Sequence, residues 1–170
     1  MASIASAHEI NVFGCAMNKI CDLYLPVESR SVDIRLLELF DAGFSYDAEH
    51  AYSGFMNVNV SRVKLVSVVS ELRKKGVLSV SVPVEYRDGE VVDVREAMGI
   101  AEEYAKSIGC LIGGASPRSG YAPLFWAFDI VSELGRADKA GGVVMVDRLD
   151  GRVWTMAEYE EYMYDYNNVF

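Results

Sequence analysis

GGVVMVDRLDGRVWTMAEYEEYMYDYNN, residues 141–168, contains a change of period that decides the fold. Gly141-Gly142 introduces an apolar run from Val143 to Val146, and Leu149-Asp150-Gly151 carries tight-turn chemistry, so the chain should return through Val153 and Trp154 as an antiparallel hairpin. Thr155 and Glu158 then form a T-x-x-E capping box, in which each residue satisfies a backbone N–H that the first helical turn leaves unpaired. Tyr159, Tyr162, Met163 and Tyr166 follow at helical spacing, which predicts a terminal helix with one aromatic face, ended by Asn167 and Asn168.

Working back from the hairpin, Leu124 to Val131 is apolar on both faces except for Asp129, the pattern of a central strand covered on each side. Cys110-Leu111-Ile112 is a short apolar stretch, and Asp93 with Glu96 opens a helix whose inner face is read as Ala97, Ala101, Tyr104, Ala105 and Ile108, with Gly109 at its end. Leu78, Val80, Val82, Val84 and Tyr86 alternate with Ser79, Ser81, Pro83 and Glu85, which predicts a half-buried strand, and Pro83 places it at an edge. Arg87-Asp88-Gly89-Glu90 is then expected to turn tightly into Val91 and Val92.

Ser61 offers an N-cap to a helix with a Leu65, Val68, Val69 and Leu72 stripe, and Arg73, Lys74 and Lys75 complement its C-terminal dipole before Gly76. Ser31 is expected to cap a shorter helix in which Val32, Leu36, Leu39 and Phe40 share a face, stopped by Gly43. Ile20 to Val27 alternates as a strand ended by Pro26 and Glu28. Residues 44–59 are loop plus a short strand, and the residues up to about Met17, itself an alternative start, are a tail or an edge strand.

Helices and antiparallel hairpins thus come in mixed order, which is the α+β class: an antiparallel sheet built from hairpins with helices packed against it, the C-terminal helix among them. The length of 170 residues suits a single domain over 1–170, with a possible sub-structure of 18–92 and 93–170.

Hydrophobic residues make up 51% and charged residues 24%, an ordinary globular balance. The formal charge of −9 repels phosphate and favours basic partners, so nucleic acid is not an expected partner. Cys15, Cys21 and Cys110 include no C-x-x-C pair, which points to a reducing cytoplasm without disulfides or zinc. No segment approaches the roughly 20 apolar residues of a membrane span, and no basic leader is read at the N-terminus.

Catalysis needs clustered side chains, and His8 and His50 stand apart from each other and from any partner at metal-ligand spacing. Cys110 follows a helix C-terminus, where the dipole disfavours a thiolate. No catalytic residue, metal ligand or cofactor site is therefore assigned. The loop Gly113 to Gly120, with Arg118 and Asp129, is the alternative: a small-ligand or enzyme site holding an anion on backbone N–H groups, although it lacks both phosphate-loop motifs. The surface expected to bind a partner is acidic and tyrosine-containing: Asp147, Asp150, Glu158, Glu160, Glu161, Tyr164 and Asp165.

AMGIAEEYAKSIG (97–109), LFWAFDI (124–130), GGVVMVDRLDGRVW (141–154) and EYEEYMYDY (158–166) resemble the bacterial polymorphic-toxin immunity proteins of the YrhB type. The V-D-R-x-x-G-x-V hairpin of that family falls on Val146, Asp147, Arg148, Gly151 and Val153, and the resemblance covers somewhat under half of the chain. About ninety residues precede the matching part, and the glycine-serine loop before the aromatic strand is longer than the family pattern. The resemblance implies a cytoplasmic protein of contact-dependent competition. It would use no cofactor and would block a cognate toxin, such as a nuclease or another enzyme with a basic cleft. The oligomeric state is left open by the residues.

Overall fold

The computed structural model describes residues 19–30, 32–132 and 142–169. The N-terminal tail with His8 and Cys15, the Ser31 cap and Gly141 lie outside the described residues. Strand β1 (Ile20–Ser29) is the middle of the first sheet, because Cys21, Leu23 and Leu25 turn one continuous apolar face into the core. Antiparallel β4 (Val80–Pro83) lines one edge of β1, and β2 (Tyr52–Phe55) and β3 (Val60–Ser61) line the other. The strand expected to end at Pro26 continues to Ser29: Pro26 has no N–H to give, so the register with β2 shifts between Leu25 and Ser29. Where β2 stops and β3 has not begun, the amides of Asn57 and Val58 donate to the carboxylate of Asp22 at 2.9 and 3.0 Å.

Helix α1 (Arg62–Lys74) buries Leu65, Val68, Val69 and Leu72, the stripe its spacing predicts. Ser61 occupies the N-cap position but its side chain makes no capping bond, while Gly76 takes the left-handed conformation (φ 75°) that ends the helix. The second sheet has the order β5 (Cys110–Ile112), β6 (Phe125–Ser132), β7 (Gly142–Asp147), all antiparallel. β6 is central and apolar on both faces as expected. Phe128 packs with Ala97 and Ala101 of α3 (Val94–Ser107), whereas Phe125 and Ala127 join the larger core. That larger core also takes in Leu23, Leu72, Trp154 and Tyr162, so it draws on residues from both sides of position 92.

Several local expectations give way to tertiary contacts. Asp88-Gly89 makes no hairpin turn; Glu85–Asp88 instead form a one-turn helix, α2, and Gly89 is extended at φ −84°. Tyr86 and Arg87 of α2 are each tied to a buried carboxylate, Asp147 and Asp22, which holds the turn helical. Only Val80–Pro83 of the alternating stretch is strand, with all four residues buried, and Ser79 and Ser81 are covered rather than facing water. The short helix after Val32 is a 3-10 turn at Arg35–Leu39 that buries Leu37 and leaves Leu39 76% exposed, because its tighter winding rotates the apolar positions away from the expected face. On α3 the three small residues Ala97, Ala101 and Ala105 let the helix lie close to the sheet, and Tyr104 and Ile108 fall outside the contact. The return limb after Gly151 is reduced to a single bridge, Val153 with Val146.

Helix α4 (Met156–Asn167) closes the structure over α1 and β4. Its capping box is complete: Thr155 accepts from the Glu158 amide and Glu158 reaches back to the Thr155 amide. Asn168 ends it in the left-handed region (φ 52°). Arg73 donates to the carbonyls of Asn167 and Asn168 and Arg62 to that of Asp165, so two cations of α1 hold the negative end of the helix. Among the described residues the outer edge of β4 meets side chains instead of another strand: the Ser81 amide donates to Asn167 Oδ1 at 2.8 Å and the Tyr162 hydroxyl to the Ser81 carbonyl at 2.9 Å. Replacing Asn167 by alanine is expected to strand that buried amide and lower stability by about 1–3 kcal/mol, read as a shifted urea midpoint.

Candidate functional site

The acidic residues gathered at the end of the chain do not share one surface. Asp147 is the clearest correction: it is 2% exposed and therefore not available to a partner. As the last residue of β7 it points inward, where it accepts from the Tyr86 hydroxyl (2.8 Å), the Trp154 Nε1–H (2.7 Å) and the Leu149 amide (2.7 Å). Burial and the adjacent Asp147 charge push the Tyr86 hydroxyl far above its ordinary range, so it stays protonated and donates.

Arg152 then takes up two more of the group. It pairs with Asp150 at 3.5 Å and with Glu158, and its guanidinium lies over the Trp154 ring. Against the pull of burial, hydrogen bonds from Thr155 and the charge of Arg152 hold the Glu158 carboxyl below its usual value. Asp165 is half-buried and 4.0 Å from Arg62. Of the residues expected to bind a partner, Glu160, Glu161 and Tyr164 are exposed on α4, the last by 57%. These three residues lie on the side of the helix opposite its buried Tyr162 and Tyr166.

The Gly113–Gly120 loop is organised around Arg118. Its amide donates to the Ala127 carbonyl, and its guanidinium pairs with Asp129 at 2.5 Å and reaches the Tyr121 hydroxyl. The arginine read as an anion ligand therefore already has a carboxylate. His50 is exposed, edge-on to Tyr52 with ring centres 4.7 Å apart. Cys21 is buried, and burial pushes its thiol up to about 11, which keeps it protonated near neutrality. Cys110 is half-buried. Among the described residues no three or more His, Cys, Asp or Glu side chains are grouped to hold a metal ion, and no helix is long and apolar enough to cross a membrane.

One feature of the site is absent from the sequence reading. Met156, Tyr159 and Met163 of α4 face the loop that carries Arg118 and Tyr121, and two openings of about 290 and 280 Å³ lie between helix and loop. The i, i+3, i+7 spacing of those three residues was the available signal, but it reads equally as plain core. No family model matches the chain, and neither a curated protein nor a solved structure is matched by it.

Proposed function

We propose that this chain is an immunity protein of the bacterial cytoplasm that binds a basic toxin and blocks it by occupying its cleft, without chemistry of its own. The observation that carries the reading is the outer face of α4, where Glu160 and Glu161 stand in water beside the aromatic Tyr164. An exposed ring beside carboxylates can anchor on a cationic surface, the ring by contact area and cation–π attraction, the charges by steering. The net charge of −9 extends that field, and opposite charge raises encounter rates by about ten- to a thousandfold. Asp150 and Glu158 serve differently in this account: they share Arg152, which offsets one of their two charges, and shape the base of α4.

The test is the association rate with the cognate toxin that the proposal requires, to be sought in the adjacent gene, measured by stopped flow across a salt series. Expected is one-to-one binding whose rate falls as salt rises and drops at least about tenfold in the Glu160→Lys, Glu161→Lys double variant. A rate indifferent to salt and to both reversals would remove the α4 face from the proposal.

A further inference from the structure

We propose that the groove between α4 and the 118–122 loop is a docking site for an apolar side chain of the partner set between basic residues, a proposal that rests on the basic-partner reading above. One wall is α4, with Met156, Tyr159 and Met163 at i, i+3 and i+7 along a single line of the helix. The other wall is the loop with Arg118, Gly120 and Tyr121. Tyr121 and Tyr159 line both openings, so the two spaces meet at this pair: one floored by Val143 and Met145 of β7, the other by Val80 and Phe125.

The lining is largely apolar and rich in methionine, whose unbranched, polarizable side chain adapts to differently shaped occupants. Met156 is 63% exposed, a cost in water that a bound apolar group would relieve.

The rim sets the charge of that occupant. Glu160 and Tyr164 follow Met156 by one and two helical turns, so the carboxylate and the phenol edge the groove on the α4 side. Across it, Arg118 brings no net charge, because Asp129 is paired with it at 2.5 Å. Among the described residues the mouth is therefore negative around an apolar floor. Its complement is a leucine- or phenylalanine-sized side chain beside lysine or arginine, docked with the apolar group inward and a cation at Glu160.

A synthetic peptide alternating lysine with leucine is the probe, and its glutamate-leucine counterpart is the control, each titrated into the full chain labelled at methionine methyls and backbone amides. The lysine peptide is expected to shift the methyls of Met145, Met156 and Met163 and the amides of Glu160 and Tyr164 together, and saturably. The glutamate peptide is expected to bind at least about tenfold more weakly, as is the lysine peptide to a Met156→Lys variant, whose substituted position is exposed enough to leave the fold intact. Amide shifts with silent methyls would overturn the groove while leaving the acidic face standing. Equal binding of both peptides would overturn the charge selection. No shift at either set would sink the groove and the acidic-face reading together.

Discussion

Replacing Asp147 by alanine is expected to lower stability by about 3–5 kcal/mol, one of the two largest effects of a single substitution in this chain. The carboxylate is buried and accepts from three donors, Tyr86 Oη, Trp154 Nε1 and the Leu149 amide. Alanine would leave all three without an acceptor, and each desolvated donor left unpaired costs about 1–3 kcal/mol. The three come from different places: α2, the limb after Gly151 and the turn after β7. Their loss should therefore loosen the contact between the halves of the chain as well as the hairpin. Asparagine keeps the shape but turns an NH₂ toward donors, so it is expected to recover less than half of the loss. Urea unfolding of wild type and both variants reads this directly. A loss below about 1 kcal/mol in the alanine variant would mean that the carboxylate is solvated, and would return it to the surface where its sequence context placed it.

Arg87→Ala is expected to cost a similar amount, about 3–5 kcal/mol, by leaving a charge buried without its partner. Asp22 is 0% exposed; Arg87 reaches it at 3.0 Å and also donates to the Val58 carbonyl and to Asn59. Burial raises the Asp22 carboxyl above its ordinary value, with the Val58 amide and Arg87 acting against that rise. Without Arg87 the rise is larger. The folded variant then binds the Asp22 proton at a higher pH than the unfolded chain does, so its stability is gained as pH falls through the raised value and lost as pH climbs through it. The defect relative to wild type should accordingly shrink in mild acid, which paired urea titrations at neutral and mildly acidic pH would show. A defect that stays constant or grows there would contradict the assignment. Because α2 presents Tyr86 and Arg87 to the two carboxylates from adjacent positions, the Asp147 and Arg87 substitutions should be non-additive.

These two contacts also mark where the sequence stops being legible. Helix starts could be read because capping is local: Asp93 accepts from the Arg95 and Glu96 amides, and Thr155 and Glu158 complete their box within four residues. The central place of β6 was readable because apolar residues on both of its faces admit few other settings. Asp147 and Arg87 were not readable, since Asp147 looks like part of an acidic surface beside a hairpin and Arg87 like part of an Asp-Gly turn, and Tyr86 and Asp22, which tie them down, lie 61 and 65 residues away. Ser81 was misplaced for the same reason: period two assigns a serine to water, but Asn167, 86 residues later, covers it. The candidate surface shrank through Arg152 and Arg62, cations whose pairings with Asp150, Glu158 and Asp165 depend on how α4 meets α1 and the hairpin.

In the proposed function, recognition belongs to the α4 face and is more than a consequence of overall charge. Two variants with equal changes in net charge separate these: Glu160→Lys with Glu161→Lys on α4, and Glu102→Lys with Glu103→Lys, exposed on α3 behind the second sheet. On the proposed function, association with a cognate basic toxin slows at least about tenfold in the first pair and less than about threefold in the second, at one fixed salt concentration. Equal slowing in both, or none in the first, would contradict it.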